Sequence, residues 1–308
     1  MSTLGFEGYA ARSEPGLLAS EPGDGFAAMT ASVNGAAVHY VRGGCGPAMV
    51  LLHGFPQDWY AWRRVMPRLS ERFTVIAVDL PGVGGSAPST AGYAAADLAG
   101  QVHLLIGELG LGPAHVAGHD VGGWVAYALA RRFPDSVRTA VILETPVPGI
   151  EPWLDLNVDV PLWHGAFHMV PGLPEALVTG RQDVYFRYFF DTGTSDNRVI
   201  SDADLKHYAD AYGDPGRLRS AFEMYRAIPA NMAYNDGQTG PVGIPLLLAG
   251  GEHVFGPELP ALADNLRNNY GWSDIDVRIV TGGRHYLAEE RPDDIAELLE
   301  NHAAGRQA

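Results

Sequence analysis

Asp120 is the middle residue of Gly118-His119-Asp120-Val121-Gly122. The preceding run Ala114-His115-Val116-Ala117 reads as a short buried strand, and Trp124 to Phe133 reads as a helix stopped by Pro134. A nucleophile at such a strand-to-helix turn is held in strained backbone geometry, and glycines two residues to either side let strand and helix approach closely. The turn also aims backbone N–H groups and a helix N-terminus at the reacting centre. An aspartate there cannot form the acyl-enzyme of an esterase. It can attack an sp³ carbon and form an ester that water later cleaves. That chemistry fits two reactions, the opening of an epoxide and the displacement of a halide.

Such a nucleophile needs a base, an acid to orient the base, and donors for an oxyanion. His285 lies in Gly282-Gly283-Arg284-His285-Tyr286, between an expected last strand and a final helix. It is the expected general base, in the chain order nucleophile, acid, histidine. Two carboxylates compete for the acid. Glu144 ends the expected strand Val137 to Leu143, and Glu252 follows a strand ending at Ala249. Either could orient His285 from the C-terminal edge of a parallel sheet. His53-Gly54-Phe55-Pro56 follows the buried run Met49 to Leu52, so the amides of Phe55 and Val121 are expected to form the oxyanion hole. His53 itself is expected to be a structural hydrogen-bonder rather than a catalyst, and is grouped with the substrate-binding residues.

Opening an epoxide releases an alkoxide whose conjugate acid is very weak, so donors are needed on the face opposite the nucleophile. His164, in Leu162-Trp163-His164-Gly165, and Tyr225, in Phe222-Glu223-Met224-Tyr225-Arg226, are candidates. His168, Tyr185, Tyr188 and Tyr212 stand level with them on the sequence. Trp163, Phe167 and Phe189 are expected to give apolar walls to a substrate pocket, together with Trp153, Met169 and Phe186, most of the six also serving lid packing.

The elements that must position these groups alternate. Ala36 to Val41, Ala48 to Leu52, Phe73 to Val78, Val137 to Leu143, Ile244 to Ala249 and Asp276 to Val280 read as strands. Trp62 to Leu69, Tyr93 to Leu109 and Ile295 to His302 read as helices between or after them. This rhythm predicts an α/β fold with a mostly parallel sheet covered on both faces. It breaks after Glu144. Residues 145–243 are rich in aromatics and short helical stretches: Leu162 to Met169, Leu173 to Phe190, Ser201 to Tyr212 and Leu218 to Ala227. They are expected to form a helical lid inserted into a core of residues 26–144 and 244–308. Residues 1–25, rich in Gly, Ser, Glu and Pro, are read as a poorly ordered extension.

With 21 Lys and Arg against 36 Asp and Glu, the formal net charge of −15 excludes a phosphate-backbone partner. A single cysteine, Cys45, excludes an internal disulfide and a cysteine-built zinc site. No stretch approaches the ~20 apolar residues of a membrane span. The N-terminus has no apolar signal core, so a cytoplasmic location is expected. The chemistry calls for water and a small apolar substrate, with no metal and no organic cofactor.

With these motifs in place the chain resembles the α/β-hydrolase superfamily in its epoxide hydrolase and dehalogenase branch, over about Gly25 to the C-terminus. More narrowly it is similar to the bacterial Cif-like epoxide hydrolases. The similar segments are Val38-His39-Tyr40-Val41-Arg42-Gly43-Gly44, Arg72-Phe73-Thr74-Val75-Ile76-Ala77 and Phe222-Glu223-Met224-Tyr225-Arg226-Ala227. The resemblance implies that His164 and Tyr225 hold the epoxide oxygen and that Glu144 is the charge-relay acid. It also implies a homodimer as an expectation. The chain departs from the exported virulence member of that group, since it shows no signal peptide.

Dehalogenases are the alternative. His53 to Gln57 matches the His-Gly-Phe-Pro-Gln of fluoroacetate dehalogenases, which add arginines just past the nucleophile for the substrate carboxylate. Val121 and Trp124 stand in those places. Haloalkane dehalogenases commonly place tryptophan directly after the nucleophile, and Val121 offers no side-chain donor there. A catalytically silent binding module would be expected to lack a member of the set, and here nucleophile, acid, base and hole are all represented.

Overall fold

Short runs such as Ala48-Met49-Val50-Leu51-Leu52 and Thr74-Val75-Ile76-Ala77-Val78 have no polar face, so they are stable only with cover on both sides. They occupy the centre of the sheet and are buried along their whole length. The computed structural model describes residues 21–153 and 163–305. Residues 1–20 of the expected extension and Leu162, where a helix is expected to begin, lie outside the described residues. The strands are β1 (Phe26–Val33), β2 (Ala36–Gly43), β3 (Ala48–Leu52), β4 (Thr74–Val78), β5 (Ala114–His119), β6 (Val137–Leu143), β7 (Leu246–Gly251) and β8 (Ile275–Val280). Their spatial order is β1-β2-β4-β3-β5-β6-β7-β8. β1 and β2 form an antiparallel hairpin, β2 pairs antiparallel with β4, and the remaining pairs are parallel.

The helices are α1 (Met66–Ser70), α2 (Ala95–Glu108), α3 (Val121–Arg132), α4 (Trp163–Met169), α5 (Leu173–Val178), α6 (Gln182–Gly193), α7 (Asp202–Ala211), α8 (Pro215–Arg226), α9 (Ile228–Asp236), α10 (Leu259–Asn269), α11 (Leu287–Glu290) and α12 (Pro292–Ala304). Because strand side chains alternate, β3 feeds two cores. Val50 and Leu52 join Leu98 and Val102 of α2, Val125 and Leu129 of α3, and Leu262 of α10. Met49 and Leu51 join Leu69 of α1 and Ile295 and Leu299 of α12. Helices α4 to α9 all fall between β6 and β7 in the chain. Among the described residues no helix is long and apolar enough to cross a membrane.

Several elements differ from the sequence expectation. β1 was not delimited by its pattern, since most of its residues are exposed and it is held by the β2 ladder. The expected helix Leu173 to Phe190 is two helices, broken where Gly180 takes φ +76°. Trp62 to Leu69 is a one-turn helix (Trp59–Trp62) followed by α1. The helix expected from Trp124 begins at Val121, directly after Asp120. Helices α9 and α10 were not anticipated, although α10 buries Leu259, Leu262, Ala263 and Leu266 at helical spacing.

The junction of β5 and α3 is a close backbone approach. A Cβ on Gly118 would lie 2.0 Å from the carbonyl oxygen of Gly122, and one on Gly122 would lie 2.5 Å from that of Leu52. In each case the obstacle is backbone and cannot swing aside. By contrast, Gly100 in α2 has nothing within 4 Å of a Cβ position. Gly122→Ala is therefore expected to lower stability by roughly 1–3 kcal/mol, whereas Gly100→Ala should raise it by about 0.5–1 kcal/mol. Urea unfolding of the two variants beside wild type checks the difference in sign.

Candidate active site

Asp120 stands between β5 and α3 with φ 51° and ψ −123°. This positive-φ conformation costs a non-glycine residue of order 1–3 kcal/mol, and the surrounding glycines make it possible. Its backbone N–H donates to Leu143 O at 3.1 Å, which keeps the turn on the sheet edge. The side chain is differentiated. Oδ1 accepts the Phe55 N–H at 3.1 Å, and the Val121 N–H bonds the same carboxylate. Oδ2 lies 3.6 Å from His285 Nε2, beyond hydrogen-bond range. Burial pushes the Asp120 carboxyl up to about 6, against the pull of those two amides. Burial drives His285 well below its ordinary value, with His119 and His164 adding repulsion.

The HGFP segment contributes through its backbone and its ring separately. The Phe55 ring meets Phe186 and Phe189 edge-on at 5.6 Å, Tyr225 at 5.8 Å and His168 at 4.9 Å. The loop whose amide bonds Asp120 is thereby packed into the helices that follow β6. His53 is buried, and its Nε2 accepts the Leu80 N–H at 2.9 Å. That leaves Nδ1 to donate to Gly54 O at 2.9 Å. Its place among substrate-binding residues is corrected: both nitrogens serve backbone, and it does not line the cavity.

A cavity of about 950 Å³ opens over Asp120, lined by Phe55, Trp124, Trp153, Trp163, His164, Phe189, Tyr225 and His285 among others. His164 and Tyr225 lie together on this wall with ring centroids 5.8 Å apart. Burial lowers His164 to about 4, so it is a neutral imidazole, and raises the Tyr225 hydroxyl well above its ordinary range. Of the competing donors, His168 is bonded to the Tyr185 hydroxyl at 2.7 Å, Tyr212 donates to Gln57 O at 2.6 Å, and Tyr188 accepts from Trp163 Nε1 at 3.2 Å. Phe167 is a second correction, because it faces Tyr185 and Trp163 in the packing of the helices instead of the cavity. Phe186 likewise is fully buried away from the cavity.

The two candidate acids are in different surroundings. Glu144 is fully buried, with φ 51°. Its carboxylate accepts the N–H of Gly251 on one oxygen and that of Phe255 at 2.8 Å on the other. Burial raises it to about 8, opposed by those amides. Glu252 is exposed and accepts the Gly282 N–H at 2.9 Å. Among the described residues, the ion pair of His285 within 4.0 Å is with Asp120, so a direct contact from either acid to the imidazole is not made. A residue overlooked in the sequence holds the base loop instead. His119, next to Asp120, bonds His285 O through Nε2 at 2.8 Å. Its adjacency to Asp120 was the available signal.

Trp124 decides another question. Its indole N–H is shared between Thr145 Oγ1 at 3.0 Å and Pro146 O at 2.9 Å, so it is not free for a halide.

The fold, the strained carboxylate at the strand–helix turn and the terminal histidine define an α/β-hydrolase. The chain matches the family model of the alpha/beta hydrolase fold over residues 47–172. A soluble epoxide hydrolase from Corynebacterium sp. (strain C12) is 34% identical over 278 residues, covering 87% of this chain and 93% of that one. A fluoroacetate dehalogenase from Burkholderia sp is 30% identical over 289 residues, covering 90% and 93%. The Cif epoxide hydrolase from Acinetobacter nosocomialis has the same fold, with a TM-score of 0.82 at 23% identity over 92% of this chain and 91% of that one. The chain belongs to the α/β-hydrolase fold family, and within it to the epoxide hydrolases.

An acid whose folded pKa lies above its unfolded value binds more protons when folded, so it loses stability as pH rises. For Asp120 the loss develops from about 4 to about 6, the interval between its ordinary value of 3.8 and its raised one. Asp120→Asn is therefore expected to be more stable than wild type at pH 8, by up to roughly 3 kcal/mol. The gain should shrink toward zero as pH falls to about 4. Urea melts across that range check both size and direction. A gain that is flat with pH would mean that ionisation of Asp120 is not its source.

Proposed function

We propose that the protein hydrolyses an epoxide to a vicinal diol through a covalent ester on Asp120. The observation that carries this reading is the division of the Asp120 carboxylate, with Oδ1 on the Phe55 amide and Oδ2 turned toward His285 beneath the His164/Tyr225 wall. Oδ2 attacks a ring carbon and the carbon–oxygen bond of the epoxide breaks. The departing oxygen takes hydrogen bonds from His164 and Tyr225. Tyr225, still protonated at neutral pH, supplies a proton to the far more basic alkoxide. The product is a hydroxyalkyl ester whose carbonyl oxygen is Oδ1.

In the second step neutral His285 takes a proton from water as the hydroxide adds to the ester carbon. The Phe55 amide already bonds Oδ1 and the Val121 amide bonds the same carboxylate, so the oxyanion develops where donors stand ready. Collapse releases the diol oxygen from the ester carbon, and that oxygen takes the proton from His285. The proton left on the Asp120 carboxyl passes to the far more basic Tyr225 phenolate, restoring both groups. Glu144 is the charge-relay acid in this reading. It acts on the transient imidazolium across the buried interior, and the positive charge favours its ionised form. Residues 145–243 serve as the lid that brings the donor pair, Trp163 and Phe189 over the nucleophile. The occupied Trp124 indole and the donor-free Val121 side chain favour ring opening over halide displacement.

His285→Ala mixed with styrene oxide should accumulate a protein species heavier by the whole epoxide, with the added mass on the peptide that contains Asp120. Halide displacement from a haloalkane would instead add the alkyl group without the halogen. If no adduct forms while wild type still yields diol, the covalent route is wrong.

Tyr225→Phe should slow ring opening on the order of 10²-fold while leaving decay of preformed ester little changed. Single-turnover mass spectrometry separates the two steps. Equal loss in both would remove Tyr225 from the donor pair.

A further inference from the structure

The loop carrying His285 is gripped from two sides through its backbone. From the sheet side, His119 Nε2 donates to His285 O at 2.8 Å. From the other side, His285 N–H donates to Gly193 O at 2.9 Å, at the C-terminal end of α6. Beside that bond stands one carboxylate, Glu290 at the end of α11. Its Oε1 accepts the Arg284 N–H at 3.2 Å, and its Oε2 accepts the Ser195 N–H and the Ser195 hydroxyl, both at 2.8 Å. Arg284 and His285 are consecutive, as are the turn residues 193 to 195. Glu290 thus closes a bridge from the lid to the base loop that runs parallel to the direct Gly193–His285 bond.

We propose that Glu290 is a positioning residue that ties His285 to the lid, so that the general base is set for hydrolysis only when the lid turn at residues 193–195 is docked. This rests on the two-step reading above. The nucleophile does not depend on the bridge, because Asp120 is held by β5, α3 and the Phe55 amide. Loss of Glu290 therefore displaces the base and spares the attacking carboxylate. Displacement of order 1 Å at a reacting group costs about 10²-fold in rate. Ser195 is exposed, so the bridge contributes little as surface bonding alone. Its value lies in geometry.

The test follows formation and decay of the Asp120 ester with styrene oxide by rapid-quench intact-mass measurement. Glu290→Ala should form ester within about twofold of wild type, and ester decay should slow by roughly 10–100-fold. The ester then accumulates in steady state, and kcat and KM fall together while kcat/KM is kept. Glu290→Gln, which retains one acceptor oxygen, should fall between. Ser195→Ala, which removes only the hydroxyl bond, should slow decay by a few-fold, and it decides the matter if the Glu290 variants do not fold. Unchanged decay overturns the role, and so does equal slowing of both steps with a lowered melting temperature. Failure of His285→Ala to retain ester removes the covalent reading and this role with it. Ester trapped by His285→Ala, with normal decay in the Glu290 and Ser195 variants, overturns the role of Glu290 alone.

Discussion

The structure depends on how closely β5 can approach α3. Between Gly118 and Gly122 there is no room for a Cβ on either residue, and the chain reverses there through a positive-φ aspartate. That turn places the Asp120 carboxylate over the N-terminus of α3 and within reach of the Phe55 amide. A looser junction would cost the backbone nothing, but it would remove the carboxylate from both donors. Strain at one residue is held by the burial of the ten residues from Val121 to Ala130 that follow it.

Burial also sets the charge states. Desolvation disfavours the charged forms of Asp120, Glu144, His164 and His285, so it raises the two carboxyl groups and lowers the two imidazoles. The result suits a nucleophilic carboxylate beside a neutral base. Asp120, at about 6, ionises at physiological pH, and His285 stays uncharged and able to accept a proton. His164, uncharged for the same reason, is available as a hydrogen-bond donor from its one N–H. Amide donors, and not a neighbouring cation, provide the counterweight at Asp120.

The helices between β6 and β7 and the sheet are joined by aromatic packing and by hydrogen bonds to backbone. Phe55 shows both at once, with its N–H on Asp120 and its ring among Phe186, Phe189 and Tyr225. The base loop repeats the pattern, with His119 on one side and Gly193 on the other. Each loop is bonded through its main chain to neighbouring elements, which restricts where its side chains can sit.

The central strands were legible because residues covered on both faces must be apolar throughout, and β3 and β6 match their sequence runs. The elbow, the HGFP turn and the terminal histidine were legible because glycine, proline and the order of elements constrain backbone directly. β1 was less so, since its exposed residues carry little burial pattern, and the break at Gly180 was hidden in an unbroken helical periodicity. Spacing along the chain determined which residue types could meet at a strand–helix turn, and therefore the chemistry open to Asp120. Only the tertiary structure decided which way side chains face. Phe189 reaches the cavity while Phe167 packs among helices, His53 is consumed by the Leu80 amide, and Glu144 is buried against two amides while Glu252 is exposed. Those distinctions arise from contacts between residues far apart in sequence, and no local pattern encodes them.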